Sequence, residues 1–393
     1  MTAMLISREP VLNRGRAITA TRLTLHAAPA PGACQAIAEE LNELADIWPA
    51  ARTVFVGFDG PLPDAGLLDW QVPSNAMVEI PAAALAQPQT QELMQGLQQR
   101  GVALCLDGYS AGVALPPGVE FRFVLAEAGA AVSGAPGLLL AKGLADNAQF
   151  DMCTNKGFGG AAGWFFLKGV TPAKKLTPGQ AQTIHLLNLV RANADLKEIE
   201  AALKRDVALS VKLLRYINSA GFGLAVEIQS FRHAVTMLGY DKLNKWLSLL
   251  LVTSSKDPAA PALMQAAIAR GRFMELAGRE RVDKRELDNL FIAGAFSLLD
   301  ILLGVLMETA LADMHLPEAI NDALISSSGP YAPFLALSRA AEQKDFPRFV
   351  RLAGELQLGL PAVNRAQLEA LSFADSLQLS CTCRGPPRRS CRG

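Results

Sequence analysis

The feature that most restricts this chain is a change of pattern near its middle. Before "KGVTPAKKLTPGQ" (Lys168–Gln180), short β-type runs alternate with helix-like runs, and after it the strand patterns disappear. Two prolines, a Lys pair and a Gly mark this stretch as a linker. At 393 residues the chain is long enough for two domains, each burying its own core. The pattern predicts domains over residues 1–170 and 171–379 and a tail over 380–393.

In the first part, Ala17–His26, Arg52–Phe58, Ala76–Pro81, Val102–Tyr109, Phe121–Leu125, Gly137–Gly143 and Gly163–Gly169 read as strands. Cys34–Trp48 and Thr90–Gly101 have helical periodicity, with Gly101 as a C-cap. Strands alternating with helices suggest an α/β domain of parallel βα units, of the kind that close into a barrel. The length is short for eight full units, so some helices must be small or absent. In the second part, Asp195 with Glu198 makes a capping-box-like start and Asp206 can cap the next helix. That helix stops at "NSAGFG" (Asn218–Gly223), Ser230 opens another that Gly239 ends, and Asp241 opens a third. Successive short helices predict an all-α bundle.

Composition excludes some functions. Lys plus Arg and Asp plus Glu both total 37, so net charge gives no argument for a nucleic-acid partner. Four of the basic residues, Arg384, Arg388, Arg389 and Arg392, crowd the tail. Cys34, Cys105 and Cys153 are scattered singles, which is not the pattern of a secreted disulfide framework, and no signal-peptide core opens the chain, so a cytoplasmic location is expected. The apolar run Phe291–Leu311 approaches the length of a membrane span, but Asp300 in its middle favours a core helix. None of the four histidines is followed by Asp, and no G-x-S-x-G turn is present. "GFGGAAG" (Gly157–Gly163) lacks the ending of a P-loop. Cys381, Cys383 and Cys391 have no fourth metal ligand nearby.

Two segments carry a resemblance. Asp206–Leu251 is similar to the signature of HDOD domains, helical relatives of HD-type phosphohydrolases, through Asn218, Ser219, Phe222, Gly223, Arg232, His233 and Gly239. Where catalytic relatives have a metal-binding His-Asp pair, this chain has Ser297 and Leu298. Asp300 then reads as a helix-interior acid with a hydrogen-bond partner. The first part resembles EAL domains, barrels that hydrolyse cyclic di-GMP, through Ser7–His26, Gly101–Ser110 and Asn155–Phe166.

The resemblance implies that most of the family's site is gone. Thr21, Arg22 and Leu23 stand for Glu-Ala-Leu, Gly57 for a metal-ligand Asn, and Gly108 for the second of paired aspartates. The lysine position falls near Phe123, a later glutamate near Ala145 and the closing glutamine near Ala162. Arg22, Glu79 and Asp107 remain as pocket residues, with Arg22 read chiefly as a solvent-facing strand-end residue. Two carboxylates cannot replace a set that positions two divalent ions and a water. The chain is therefore expected to use no cofactor or metal. It is expected to act without catalysis in cyclic di-GMP signalling, through contacts with signalling proteins whose identity the sequence does not give. A sensor that binds cyclic di-GMP or another nucleotide without cleaving it is the second reading, and a residual phosphodiesterase the third.

Overall fold

The computed structural model describes residues 4–168, 175–176, 178–204 and 260–377, with single positions between 233 and 248. Eight strands close into a barrel in sequential order: β1 (Leu5–Asn13), β2 (Ile18–His26), β3 (Thr53–Asp59), β4 (Ala76–Pro81), β5 (Ala103–Asp107), β6 (Phe121–Glu127), β7 (Leu138–Lys142) and β8 (Gly160–Ala162). Strand β1 runs antiparallel to β2 and β8, and the other pairs are parallel. Parallel neighbours need a crossover, and three crossovers carry a helix: α1 (Ala33–Glu43), α2 (Pro88–Gln99) and α3 (Asn147–Asn155).

Two sequence expectations need correction here. Strand β1 was hidden because Arg8, Glu9 and Pro10 interrupt its apolar alternation; in the fold Arg8 is buried and Glu9 half-buried, each in an ion pair. Gly163–Gly169 is not a strand. Pairing ends at Ala162, Gly163 turns the chain at φ 126°, and Phe165–Leu167 forms a 3-10 turn. Phe165 stacks on Phe150 at 4.9 Å and meets Phe166 edge-on at 5.7 Å. The aromatic run therefore packs outside the barrel instead of entering it.

Strand side chains alternate, so the barrel interior is built in layers. One layer is apolar and includes Val11, Ala20, Phe55, Met77, Cys105, Leu125, Leu140 and Ala162. Two residues further toward the mouth the same strands present Glu9, Arg22, Gly57, Glu79, Asp107, Glu127 and Lys142. A dry plug thus supports a charged floor.

The described helices after the barrel are α4 (Pro178–Arg191), α5 (Leu196–Lys204), α6 (Ala260–Gly278), α7 (Leu287–Phe296), α8 (Leu299–Leu303), α9 (Met307–Leu311), α10 (Glu318–Asn321), α11 (Ala332–Gln343), α12 (Phe346–Glu355) and α13 (Leu360–Ser376). The Asp195 carboxylate caps α5 by accepting from the Lys197 amide at 2.7 Å. The run Phe291–Leu311 is mainly buried, but it is three helices and not one: Ser297 closes α7, and Gly304 closes α8 at φ 67°. Among the described residues no helix is long and apolar enough to cross a membrane.

Strand β1 meets β8 only from Val11 to Asn13, which leaves the backbone of its first half without a strand on that side. Open edges must be satisfied or covered. Helix α13 does this with amide side chains. Asn364 accepts from Ile6 N at 3.0 Å and donates to Met4 O at 2.9 Å, while Gln367 donates to Ile6 O at 2.8 Å. The Trp164 indole takes the next carbonyl, Arg8 O, at 3.2 Å. Arg52 with Asp375 at 3.1 Å and Arg365 with Asp46 at 2.9 Å add ion pairs between barrel and helix.

Truncating Asn364 to Ala leaves two buried backbone groups of β1 unpaired, which should cost about 2–4 kcal/mol. Urea unfolding followed by tryptophan fluorescence measures this, and an unchanged midpoint would show that the edge does not depend on α13. The rim adds a pH effect. His26 is buried between Ser7, Asp59 and the Phe346 ring, and burial lowers its pKa to about 4 despite the Asp59 carboxylate. The unfolded imidazole, near 6.5, binds its proton first, so stability is intact above that pH and erodes as pH falls toward 4. The loss should be on the order of 1–3 kcal/mol after screening at the rim. His26→Gln should remove this part of the difference between unfolding midpoints at neutral and mildly acidic pH.

Candidate functional site

Arg22 lies on the inward side of β2, two residues beyond Ala20, and its guanidinium ends among three carboxylates. Nε and Nη2 donate to the two Glu79 oxygens at 2.8 and 2.7 Å, a paired fork. Nη2 also reaches Asp107 Oδ2, and Nη1 reaches Glu9 Oε2, each at 3.3 Å. The solvent-facing reading of Arg22 is therefore overturned: the residue is 7% exposed and Glu79 1%. Burial alone would depress the Arg22 pKa, but the charge and hydrogen bonds of Glu79, with Asp107 and Glu9, hold it well above its ordinary value. The guanidinium is a fixed cation.

Gly57 makes room for this fork. A Cβ there would lie 2.3 Å from Glu79 Oε2, so the glycine and the ion pair require each other. Lys142 closes the far side, with Nζ 2.6 Å from Asp107 Oδ1 and 3.7 Å from Glu127. Neither Glu9 nor Lys142 was picked out in the sequence, although alternation along β1 and β7 could have placed both inward. Phe123, at the expected lysine position, packs edge-on against Phe55 at 5.2 Å in the apolar layer, and Ala162 lies in the same layer. Among the described residues no group of three or more His, Cys, Asp or Glu side chains is disposed to hold a metal ion.

A second arginine forms a similar clamp in the helical part. Arg270 of α6 grips Glu342 of α11, with Nε 2.9 Å from one oxygen and Nη2 2.6 Å from the other. Its Nη1 donates to Ser297 Oγ at 2.9 Å, and that hydroxyl donates to Gly294 O at 2.6 Å. Leu298 beside it is buried. Strand β1 joins the two clamps: Glu9 points inward to Arg22, and Arg8 points outward to Glu342 at 3.4 Å. Lys344, just past α11, reaches back to Glu9 at 3.0 Å.

Between the clamps lies a cavity of about 500 Å³, bordered by Glu9, Leu144 and Trp164 from the barrel and by Arg270, Ser297, Asp300, Arg339 and Glu342 from the helices. Asp300 was expected to find a hydrogen-bond partner. Its Oδ1 is buried and has none among the described residues. The residue sits in the first turn of α8, where Ser297 and Leu298 have already turned the chain away from α7.

The rim brings together Ser7, His26 and Asp59: Ser7 Oγ is 2.8 Å from His26 Nε2, and Asp59 Oδ2 is 2.8 Å from His26 Nδ1. This is the connectivity of a hydrolytic triad, with exposure reversed. Ser7 is 1% exposed, while the Asp59 side chain is 64% exposed. A base whose pKa is about 4 is also weak for accepting a serine proton at neutral pH. The three residues fasten β1, β2 and β3 together. Of the signature residues, Asn218, Ser219, Phe222, Gly223 and Arg232 lie outside the described residues, as does the cysteine-rich tail. His233 is helical and half-buried, and Gly239 has φ 75°.

Comparison with known proteins fits this layout. Residues 177–315 match the HDOD domain model. Cyclic di-GMP phosphodiesterase CdgJ of Vibrio cholerae is 28% identical over 304 residues, covering 73% of this chain and 70% of that protein. The uncharacterized protein YuxH of Bacillus subtilis is 24% identical over 253 residues, covering 62% of this chain and 60% of YuxH. Among solved structures, the FimX EAL domain of Pseudomonas aeruginosa bound to c-di-GMP aligns with 42% of this chain and 90% of its own, at 16% identity and a TM-score of 0.32. The region that matches the HDOD domain model, residues 177–315, thus follows a closed eight-stranded barrel.

Proposed function

We propose that this chain is a regulatory protein of cyclic di-GMP signalling that acts through protein contacts and does not hydrolyse the dinucleotide. The signalling context is supported by the HDOD match and by the relatedness to CdgJ, a named cyclic di-GMP phosphodiesterase. At 28% identity the name supplies a context, and the reading of the activity rests on the site residues.

One observation carries the non-catalytic reading: the Arg22 guanidinium fills the space between Glu79, Asp107 and Glu9. A divalent ion needs carboxylate oxygens free to coordinate it and a water it can activate. Here those oxygens already bond a permanent cation, and Lys142 holds the other Asp107 oxygen. Displacing Arg22 would strand a buried positive charge, at about 3–5 kcal/mol. Ser297, beside Leu298, carries the same logic into the helical domain, since its hydroxyl is committed to Arg270 and Gly294. The sensor alternative has less support at the barrel floor, because every nitrogen of the Arg22 fork is engaged by carboxylate.

Turnover of cyclic di-GMP by the purified full chain, with Mg²⁺ and separately Mn²⁺, tests this. The expected result is no hydrolysis above the buffer rate. Sustained hydrolysis that Glu79→Gln or Asp107→Asn abolishes would refute it.

A further inference from the structure

Helix α11 ends over the barrel mouth. Glu342, Lys344 and Phe346, at alternate positions, run from the helical clamp to the barrel rim. Glu342 is held by Arg270 and Arg8. Lys344 Nζ lies 3.0 Å from Glu9 Oε2, the same oxygen that Arg22 Nη1 meets. Phe346 lies against the His26 ring, with centroids 3.6 Å apart. A segment far along the chain thus supplies a cation and an aromatic ring to the mouth.

Exposure around the mouth is uneven. One step outward from Glu9 and Arg22, the paired residues Ser7 and Thr24 are buried, and so is His26 at the end of β2. The side chains of Asp59 on β3 and Glu127 on β6 are 64% and 63% exposed. The covered side is the one that Lys344 and Phe346 approach.

The turn itself is firmly built. Lys344 takes φ 58°, which L residues rarely adopt, the Asp345 amide donates to Ala340 O at 3.1 Å, and the Asp345 carboxylate accepts from Arg348 N at 3.2 Å. A turn bonded into both helices moves with α11. Its seat on the barrel is easier to leave than the buried joins: the Lys344 side chain is 34% exposed, so water can replace Glu9, and Glu9 keeps Arg22. Glu342 is buried and cannot leave Arg270 without stranding a charge. The clamp therefore fixes α11, and the contacts at its end follow.

We infer that the α11–α12 turn is a lid over the β1–β2 side of the barrel mouth, latched by the Arg270–Glu342 clamp. Loosening the clamp lets α11 shift, lifts Lys344 and Phe346 together, and opens Ser7 and Thr24 to solvent. The helices thereby set access to the barrel, whether or not cyclic di-GMP is cleaved there.

Labelling the full chain carrying Thr24→Cys with N-ethylmaleimide, read peptide by peptide by mass spectrometry, tests the inference. With the lid in place, position 24 should react slowly. Adding Lys344→Ala with Phe346→Ala should raise its rate roughly tenfold or more. Arg270→Lys, which keeps the charge and loses the fork, should raise it roughly threefold or more. A second chain carrying Glu127→Cys reports the open side, and its rate should stay within about twofold throughout. Circular dichroism melts check that each variant is folded at the labelling temperature, and Glu342→Gln takes the place of Arg270→Lys if that variant is not. An unchanged rate at position 24 in the double variant would overturn the lid. An unchanged rate in the clamp variant would overturn the latch, and an equal rise at position 127 would mean a general loosening of the barrel in place of a lid.

Discussion

Removing a guanidinium from water is expensive, and Arg22 is stable inside the barrel only because Glu79 meets it with both oxygens while Asp107 and Glu9 share the remaining charge. The same bonds that make the arginine tolerable make the carboxylates unavailable. Gly57 belongs to this arrangement, since any side chain there would collide with the Glu79 carboxylate. Five consecutive strands, β1 to β5, are therefore committed to a protein cation at the barrel floor, and the apolar plug beneath excludes water that could otherwise screen it.

Strand β1 carries the constraint outward. Its period-two alternation sends Glu9 to the interior clamp and Arg8 to the exterior one, where Glu342 and Arg270 wait. Its unpaired edge requires Asn364 and Gln367, which lie some 360 positions away in sequence, as the 358 and 361 residue separations of those bonds show. A barrel so closed depends on the last described helix for its own backbone hydrogen bonds. The two domains are joined by buried polar groups as well as by a shared apolar core that runs from Leu12 and Phe158 into α6 and α7. Contacts of this kind resist independent movement, because separating them exposes unsatisfied groups on both sides.

Much of this was legible in advance, for reasons particular to each element. Strands such as Ala76–Pro81 and helices such as Thr90–Gly101 announce themselves by short-range periodicity, and alternating strands and helices pointed to a barrel. Strand β1 was not legible because Arg8, Glu9 and Pro10 break its apolar alternation, and two of the partners that explain the charges, Glu342 and Lys344, lie far along the chain. Gly163–Gly169 misled because β-prone aromatic residues pack equally well in a turn against Phe150. Phe291–Leu311 misled because composition does not show where Ser297 and Gly304 break the helix. The acids Glu79 and Asp107 could be picked out from the sequence, whereas the direction of Arg22 needed its register on β2. Lys142 could have been placed inward by alternation along β7, whereas the cavity around Asp300 arises from tertiary placement alone.

The most direct measurement is a structure of the protein crystallised or soaked with Mn²⁺, read by its anomalous signal at the barrel floor. The account predicts no ion between Glu79 and Asp107, with the Arg22 fork intact. An ordered ion about 2.0–2.3 Å from oxygens of both carboxylates, with Arg22 turned away, would contradict it.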